Sequence, residues 1–131
     1  MPGANGGTGK RVVIGEDDDP IAFLLRDTID DEPGYRATVV SDGRKVEAVV
    51  RDGHTDLLIL DIMMPGLSGF EVYDRIRADP RTAAMPILFI SAAVGHYAED
   101  LLRRGITDVM AKPFDLVELL DRVRHLCPPA A

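Results

Sequence analysis

The chain has 131 residues, of which 46% are apolar, so it is long enough to form one domain with a substantial core. Its 22 Asp and Glu residues outnumber its 15 Lys and Arg residues, and the formal charge of −7 argues against binding of nucleic acid or of an anionic membrane by this chain. The single cysteine, Cys127, has no partner for an internal disulfide, and no signal peptide is visible, so a cytoplasmic protein is the default expectation.

Short apolar runs alternate along the chain with segments of helical periodicity. Residues 1–9 are small and Gly-rich and are predicted to be a flexible leader, residues 10–127 are predicted to form the domain, and residues 128–131 a tail. The runs predicted to be strands are residues 12–14, 35–40, 57–60 closed by Asp61, 87–90 and 109–111. Strands that alternate with helices predict a parallel sheet that is covered by helices on both faces.

The predicted helices have recognisable start signals. Asp19 followed by Pro20 predicts the cap and first residue of the first helix, Ser68 with Glu71 has the spacing of a capping box, and Asp115 begins the last helix. A weaker helix is predicted over residues 95–104. The helical side chains predicted to face the core are Ile21, Leu24, Leu25, Thr28, Ile29, Val46, Val49, Val50, Val72, Tyr73, Ile76, Leu116, Leu119, Leu120 and Val123.

Five polar side chains are predicted to meet at one edge of this sheet. Right-handed crossovers place the carboxyl ends of all strands together, and those ends carry Glu16, Asp17, Asp61, Ser91 and Lys112. Three carboxylates share a site only with a cation among them or with some of them protonated, and oxygen ligands favour Mg²⁺ or Mn²⁺. A carboxylate can also attack phosphorus, while a lysine and a hydroxyl stabilise the transferred phosphoryl group. Taken alone, Asp61 has the plainer interpretation of a turn former.

The chain resembles the receiver domain of two-component response regulators, chemotaxis regulators among them, in four motifs that read in order VVIGEDD, LLILDIMMPGLSG, ILFISA and MAKPF. The resemblance extends from about residue 11 to residue 126. It implies a flavodoxin-like (βα)5 fold, a doubly wound α/β structure with a five-stranded parallel sheet of order 2-1-3-4-5.

The resemblance also implies roles for particular residues. Asp61 becomes the phosphoacceptor, Lys112 contacts the phosphoryl group, and Ser91 is the hydroxyl that couples the site to the distal face. Most family members have Tyr or Phe at the position of Val109, and the rotamer of that ring reports phosphorylation. A β-branched residue has one favoured rotamer, so we expect the change on the face of helix 4, strand 5 and helix 5 to be smaller or different.

The implied metal is Mg²⁺, with Mn²⁺ as an alternative. Its implied protein ligands are Asp17, the neighbouring Glu16, Asp61 and the backbone carbonyl of Met63. A register set by the following proline would make the acidic pair Asp17 and Asp18 instead. The pair of Glu16 and Asp17 is preferred, because it places the apolar residues of the first helix where the family has its core residues.

The function that the resemblance implies is a non-enzymatic signalling module. It would take a phosphoryl group from a sensor histidine kinase or a phosphotransfer protein and act on an unknown downstream protein, as a monomer or weak homodimer. One alternative is a degenerate receiver that only binds a partner. Another is a phosphatase of the haloacid dehalogenase type, which needs a second Asp where this chain has Met63. The chain is either a free-standing regulator or the receiver of a longer protein.

Overall fold

The computed structural model describes residues 9–130, so residues 1–8 of the predicted leader and residue 131 of the predicted tail lie outside the described part. Strands and helices alternate as predicted. The elements in chain order are β1 (Lys10–Gly15), α1 (Asp19–Asp30), β2 (Tyr35–Val40), α2 (Gly43–Arg51), β3 (Leu57–Asp61), α3 (Gly69–Ala78), β4 (Ile87–Ser91), a 3₁₀ turn (Val94–Tyr97), α4 (Ala98–Arg103), β5 (Val109–Ala111) and α5 (Leu116–Leu126).

The five strands form one parallel sheet in the order β2-β1-β3-β4-β5. The predicted doubly wound α/β fold is therefore confirmed. In the register of the sheet, Gly15 pairs with Leu60, Asp61 pairs with Ile90, and Ser91 pairs with Ala111. These pairings align the carboxyl ends of β1, β3, β4 and β5 along one edge.

Side chains that alternate along the strands build a core on each face of the sheet. The cluster on the side of α2, α3 and α4 contains Val13, Leu58, Leu60, Phe89, Val46, Val72, Ile76 and Leu101. The cluster on the side of α1 and α5 contains Val12, Ile14, Leu57, Ile59, Leu88, Leu25, Ile29, Leu119 and Val123. Every residue of β3 is buried, as expected of a central strand in a sheet that is covered on both faces.

The helix ends largely follow the predicted signals. The capping box at Ser68 and Glu71 is present, with both of its hydrogen bonds, and Asp115 caps α5. The prediction that Asp19 caps α1 was wrong by one residue. The cap is Asp18, whose Oδ1 accepts a hydrogen bond of 3.2 Å from the Ile21 amide, while Asp19 and Pro20 are helical. Proline has no amide to donate and is tolerated throughout the first turn, so it fixes the start of a helix only approximately.

Two side chains predicted to face the core are exposed instead. Leu24 is 44% exposed, because Ala22 and Leu25 take the inward positions of α1. Leu116 is 36% exposed, since it is the first residue of α5 and the inward row begins at Leu119. The predicted helix over residues 95–104 is divided into a 3₁₀ turn and the short α4. None of the helices between residues 9 and 130 combines the length and the apolar character needed to cross a membrane.

Candidate functional site

Three carboxylates meet at the carboxyl edge of the sheet. Glu16 follows β1 and is 1% exposed, Asp17 is exposed, and Asp61 is the last residue of β3 and is 5% exposed. One carboxylate oxygen from each of these residues lies within 4.8 Å of the other two. The carboxylate of Asp18 caps α1 instead. The structure therefore groups Glu16 and Asp17, the preferred acidic pair, with Asp61.

Lys112, which follows β5, neutralises part of this charge. Its Nζ lies 2.7 Å from Oδ2 of Asp61, to which it donates a hydrogen bond, and 2.7 Å from Oε1 of Glu16. Only 13% of the lysine side chain is exposed. Three carboxyl groups thus lie around one ammonium group, and a bound cation would offset the negative charge that the lysine leaves unbalanced.

The pKa values of the site reflect burial and charge together. Burial raises the pKa of Glu16; the close contact with Lys112 and the hydrogen bond from the Asp18 amide oppose this effect, and the charge of Asp61 adds to it. Burial by itself would lower the pKa of Lys112, but the carboxylates of Asp61 and Glu16 outweigh it and raise the pKa. The lysine is therefore held in its charged form beside the carboxylate of Asp61.

The two oxygens of Glu16 have different contacts. Oε2 accepts a hydrogen bond of 3.1 Å from the Asp18 amide. Oε1 is buried and is in ion-pair contact with Lys112, but the angles of that contact are not those of a hydrogen bond, and no other donor between residues 9 and 130 reaches this atom. A buried carboxylate oxygen without a hydrogen bond is an uncommon feature that a bound cation would satisfy. The oxygen-only donor set thus fits a divalent ion of the Mg²⁺ type.

The remaining predicted site residues lie around this cluster. The amide of Met63 donates a hydrogen bond of 3.1 Å to Oδ1 of Asp61. Ser91 ends β4 and is 1% exposed; its Oγ accepts a hydrogen bond from the Ala93 amide, and its carbonyl accepts one from the Lys112 amide. Val109, at the start of β5, is half-buried against the core cluster that contains Phe89.

Two features near the site were missed by the sequence analysis. Gly69 begins α3 so close to β3 that a Cβ atom would lie 2.5 Å from the carbonyl oxygen of Asp61, and Gly43 packs against Leu67 in the loop after β3. The hydroxyl of Tyr97 contacts the sulfur of Met63. A glycine directly after a helix cap was a usable signal for the first feature, since glycine is a poor helix former. The second depends on how two loops pack, which no local pattern encodes.

The comparison with protein families agrees with this geometry. The family model of the response regulator receiver domain matches residues 12–124, which is most of the chain. The chain belongs to the response regulator receiver family. This receiver domain is 36% identical over 118 residues to the DNA-binding dual master transcriptional regulator RpaA of Synechocystis sp., a match that covers 88% of this chain and 48% of RpaA. The chain spans about half the length of the curated relatives that it matches.

Solved structures of receivers share the fold. The response regulator TrrA of Thermotoga maritima, solved in complex with Mg²⁺-BeF, has 32% sequence identity and a TM-score of 0.78, with 89% of this chain and 98% of TrrA covered. The receiver domain of the sensor histidine kinase PA1611 of Pseudomonas aeruginosa PAO1 has 27% identity and a TM-score of 0.81, with 90% and 97% covered, and holds a magnesium ion in its active-site cleft. The present receiver domain has an acidic cluster at the edge where its own strands end.

Proposed function

We propose that Asp61 accepts a phosphoryl group from a phosphohistidine donor, and that this receiver controls a two-component signalling pathway through that modification. The observation that carries the proposal is the contact of 2.7 Å between Lys112 Nζ and the carboxylate of Asp61, beside the acids Glu16 and Asp17. Membership of the response regulator receiver family supports this proposal.

The transfer is a displacement at phosphorus. A carboxylate oxygen of Asp61 forms a bond to phosphorus, and the bond between phosphorus and the donor imidazole nitrogen breaks, so that its electron pair returns to the imidazole, which takes up a proton. The protein contributes mainly position and charge to such a reaction. Lys112 offsets the charge on the phosphoryl oxygens, and the hydroxyl of Ser91, held by the Ala93 amide, is available to hydrogen-bond one of them.

A divalent ion completes this charge balance. We propose Mg²⁺, with Mn²⁺ as an alternative, held by Asp17, Glu16, Asp61 and the backbone carbonyl of Met63. When bound, the ion supplies positive charge to the phosphoryl oxygens. The grouping of the three carboxylates supports this assignment, as does Oε1 of Glu16, which has an ion pair with Lys112 but no hydrogen bond.

We propose that the protein acts as a signalling module and not as an enzyme that turns over a substrate. A phosphatase of the haloacid dehalogenase type needs a carboxylate at the position of Met63, and a thioether has no proton to donate to a leaving group. The proposed partners are a sensor histidine kinase or phosphotransfer protein and an unidentified downstream protein. We propose residues 10–127 as the extent of the domain that carries this activity.

Intact mass measurement tests the proposal. Wild type, Asp61→Ala and Asp121→Ala are incubated with Mg²⁺ and either acetyl phosphate or phosphoramidate, whose phosphorus–nitrogen bond resembles that of phosphohistidine. Asp121 is an exposed carboxylate of α5 and serves as the matched control. We expect wild type and Asp121→Ala to gain one phosphoryl group, Asp61→Ala to gain none, and a chelator to abolish the gain.

Other outcomes favour the alternatives. An equal gain in wild type and Asp61→Ala would show that Asp61 is not the acceptor. No gain in any variant would favour a receiver that only binds a partner. Hydrolysis of a phosphate monoester through many turnovers would instead favour the phosphatase.

A further inference from the structure

Tyr97 connects the loop that follows β3 to α4. It is the last residue of the 3₁₀ turn and lies immediately before α4, which begins at Ala98. Its ring packs edge-to-face on Phe70 at 5.7 Å between centroids and on His96 at 4.8 Å. Its hydroxyl donates to the sulfur of Met63, in the loop that follows β3. One aromatic side chain thus bridges the loops after β3 and β4.

Met63 in turn contacts Asp61. The Met63 amide donates the hydrogen bond of 3.1 Å to Oδ1 of Asp61. A continuous series of contacts therefore runs from the carboxylate of Asp61 through the backbone and side chain of Met63 to the hydroxyl of Tyr97, and from there to the start of α4. Met63 is 60% exposed, so a movement of this residue does not displace side chains of the core.

We propose that Tyr97 is the positioning residue through which this receiver transmits the state of Asp61 to α4. The inference rests on the proposed function, because it requires that Asp61 gain a phosphoryl group. Formation of an acyl phosphate at Asp61 changes the charge and the geometry of its carboxyl group, whose Oδ1 faces the Met63 amide, and that change reaches the sulfur that accepts from Tyr97. Val109 packs against the same core cluster as Tyr97. Because a valine has one favoured rotamer, we expect its side chain to keep the same position in both states of Asp61.

The chain offers a matched pair of variants for the test. Tyr97→Phe removes the hydroxyl and keeps the ring packed on Phe70. Tyr73→Phe removes a hydroxyl from α3, where the Tyr73 ring packs on Phe89 at 5.7 Å and takes no part in the contacts with Met63. Amide and methionine-methyl NMR spectra of the full chain are recorded with Mg²⁺, before and after addition of beryllofluoride. Intact mass with acetyl phosphate is measured in parallel.

In wild type we expect beryllofluoride to shift the Met63 methyl signal and the amides of residues 98–103. In Tyr97→Phe we expect the shifts of residues 98–103 to fall by about twofold or more, while the shifts of Asp61 and Ser91 and the gain of a phosphoryl group persist. Tyr73→Phe should behave as wild type. Met63→Leu, which removes the acceptor sulfur, should reproduce the loss in α4.

The role of Tyr97 would be overturned if the amide shifts of residues 98–103 were as large in Tyr97→Phe as in wild type, or if they fell equally in Tyr73→Phe. Neither result would contradict the proposal that Asp61 is phosphorylated. The absence of both a phosphoryl gain and a shift at Asp61 in wild type would instead remove the proposed function, and the role of Tyr97 with it.

Discussion

The ammonium group of Lys112 lies 2.7 Å from an oxygen of Asp61 and 2.7 Å from an oxygen of Glu16. Both carboxylates are buried, so water screens their mutual repulsion poorly. The same lysine that would stabilise a phosphoryl group therefore also holds the unmodified site together. At the scale of single residues, the proposed phosphoryl transfer and the stability of the fold would depend on the same side chain.

Replacement of Lys112 by Met should lower both stability and phosphorylation. We expect a loss of roughly 1–3 kcal/mol in the free energy of unfolding, less than at a fully buried pair because water reaches part of the lysine side chain. Urea unfolding without divalent ions measures this loss, and added Mg²⁺ should restore part of it. Lys45→Met, on the exposed side of α2, is the control and should change little. Unchanged stability in Lys112→Met would contradict the shared ion pair.

At the scale of the elements, α2 fixes the loop that follows β3 and Asp61. The Gly43 amide donates a hydrogen bond of 3.0 Å to the carbonyl of Pro65, and the Cα of Gly43 lies against the backbone of Leu67. Asp42 and Arg44 form an ion pair of 2.8 Å, and both side chains lie against Gly66, whose φ is +88°. The position of Met63 within this loop therefore depends on the first turn of α2.

Gly43→Ala should displace this loop, because the added Cβ would overlap the carbonyl group of Leu67. We expect a loss of about 1–3 kcal/mol in the free energy of unfolding, typical of overpacking, and a slower gain of the phosphoryl group at Asp61. Gly95→Ala is the matched control, since a Cβ there meets no atom within 4 Å. Equal stability of the two variants in urea unfolding would show that the loop after β3 adapts freely.

The sequence predicted the elements better than it predicted the contacts between their ends. Alternating apolar runs and helix signals were enough to predict a parallel sheet, and the resemblance to receiver domains supplied its strand order. The parallel topology then brought Glu16, Asp61 and Lys112 to one edge. The predictions that Leu24 and Leu116 face the core were wrong, because the rotation of a helix about its axis is set by the surface on which it packs. The contact between Tyr97 and Met63 was not predictable for a related reason: it joins two loops 34 residues apart.

At the scale of the whole molecule, Tyr35 joins the start of β2 to the end of α5. It is the first residue of β2 and is 1% exposed, and its hydroxyl donates a hydrogen bond of 2.5 Å to the carbonyl of Cys127, directly after α5. Glu32 forms an ion pair with Arg124 beside it. Together these contacts close the layer of α1 and α5 over the sheet. Burial raises the pKa of Tyr35 from 10.0 to about 12, and the nearby Cys127 adds to that effect.

The raised pKa predicts that alkali destabilises the fold. In the unfolded chain Tyr35 loses its proton near pH 10, whereas the folded protein retains it to about pH 12, so its contribution is complete below pH 10 and is lost as the pH rises to 12. A difference of two pKa units corresponds to about 2.7 kcal/mol. Urea unfolding of wild type at pH 8, 10 and 11 should show this decline. Tyr35→Phe should start about 1 kcal/mol less stable, because it lacks the hydrogen bond to Cys127, but should decline less steeply.

Tyr73→Phe is the control, because the Tyr73 hydroxyl is not the group that closes the layer of α1 and α5, and it should decline as wild type does. Burial also raises the pKa of the Cys127 thiol, which acts in the same direction but is present in all three proteins, so the difference between them isolates Tyr35. Parallel declines in wild type and Tyr35→Phe would mean that other groups set the alkaline limit. A shallower decline in Tyr35→Phe alone would assign that limit to the contact between the start of β2 and the end of α5.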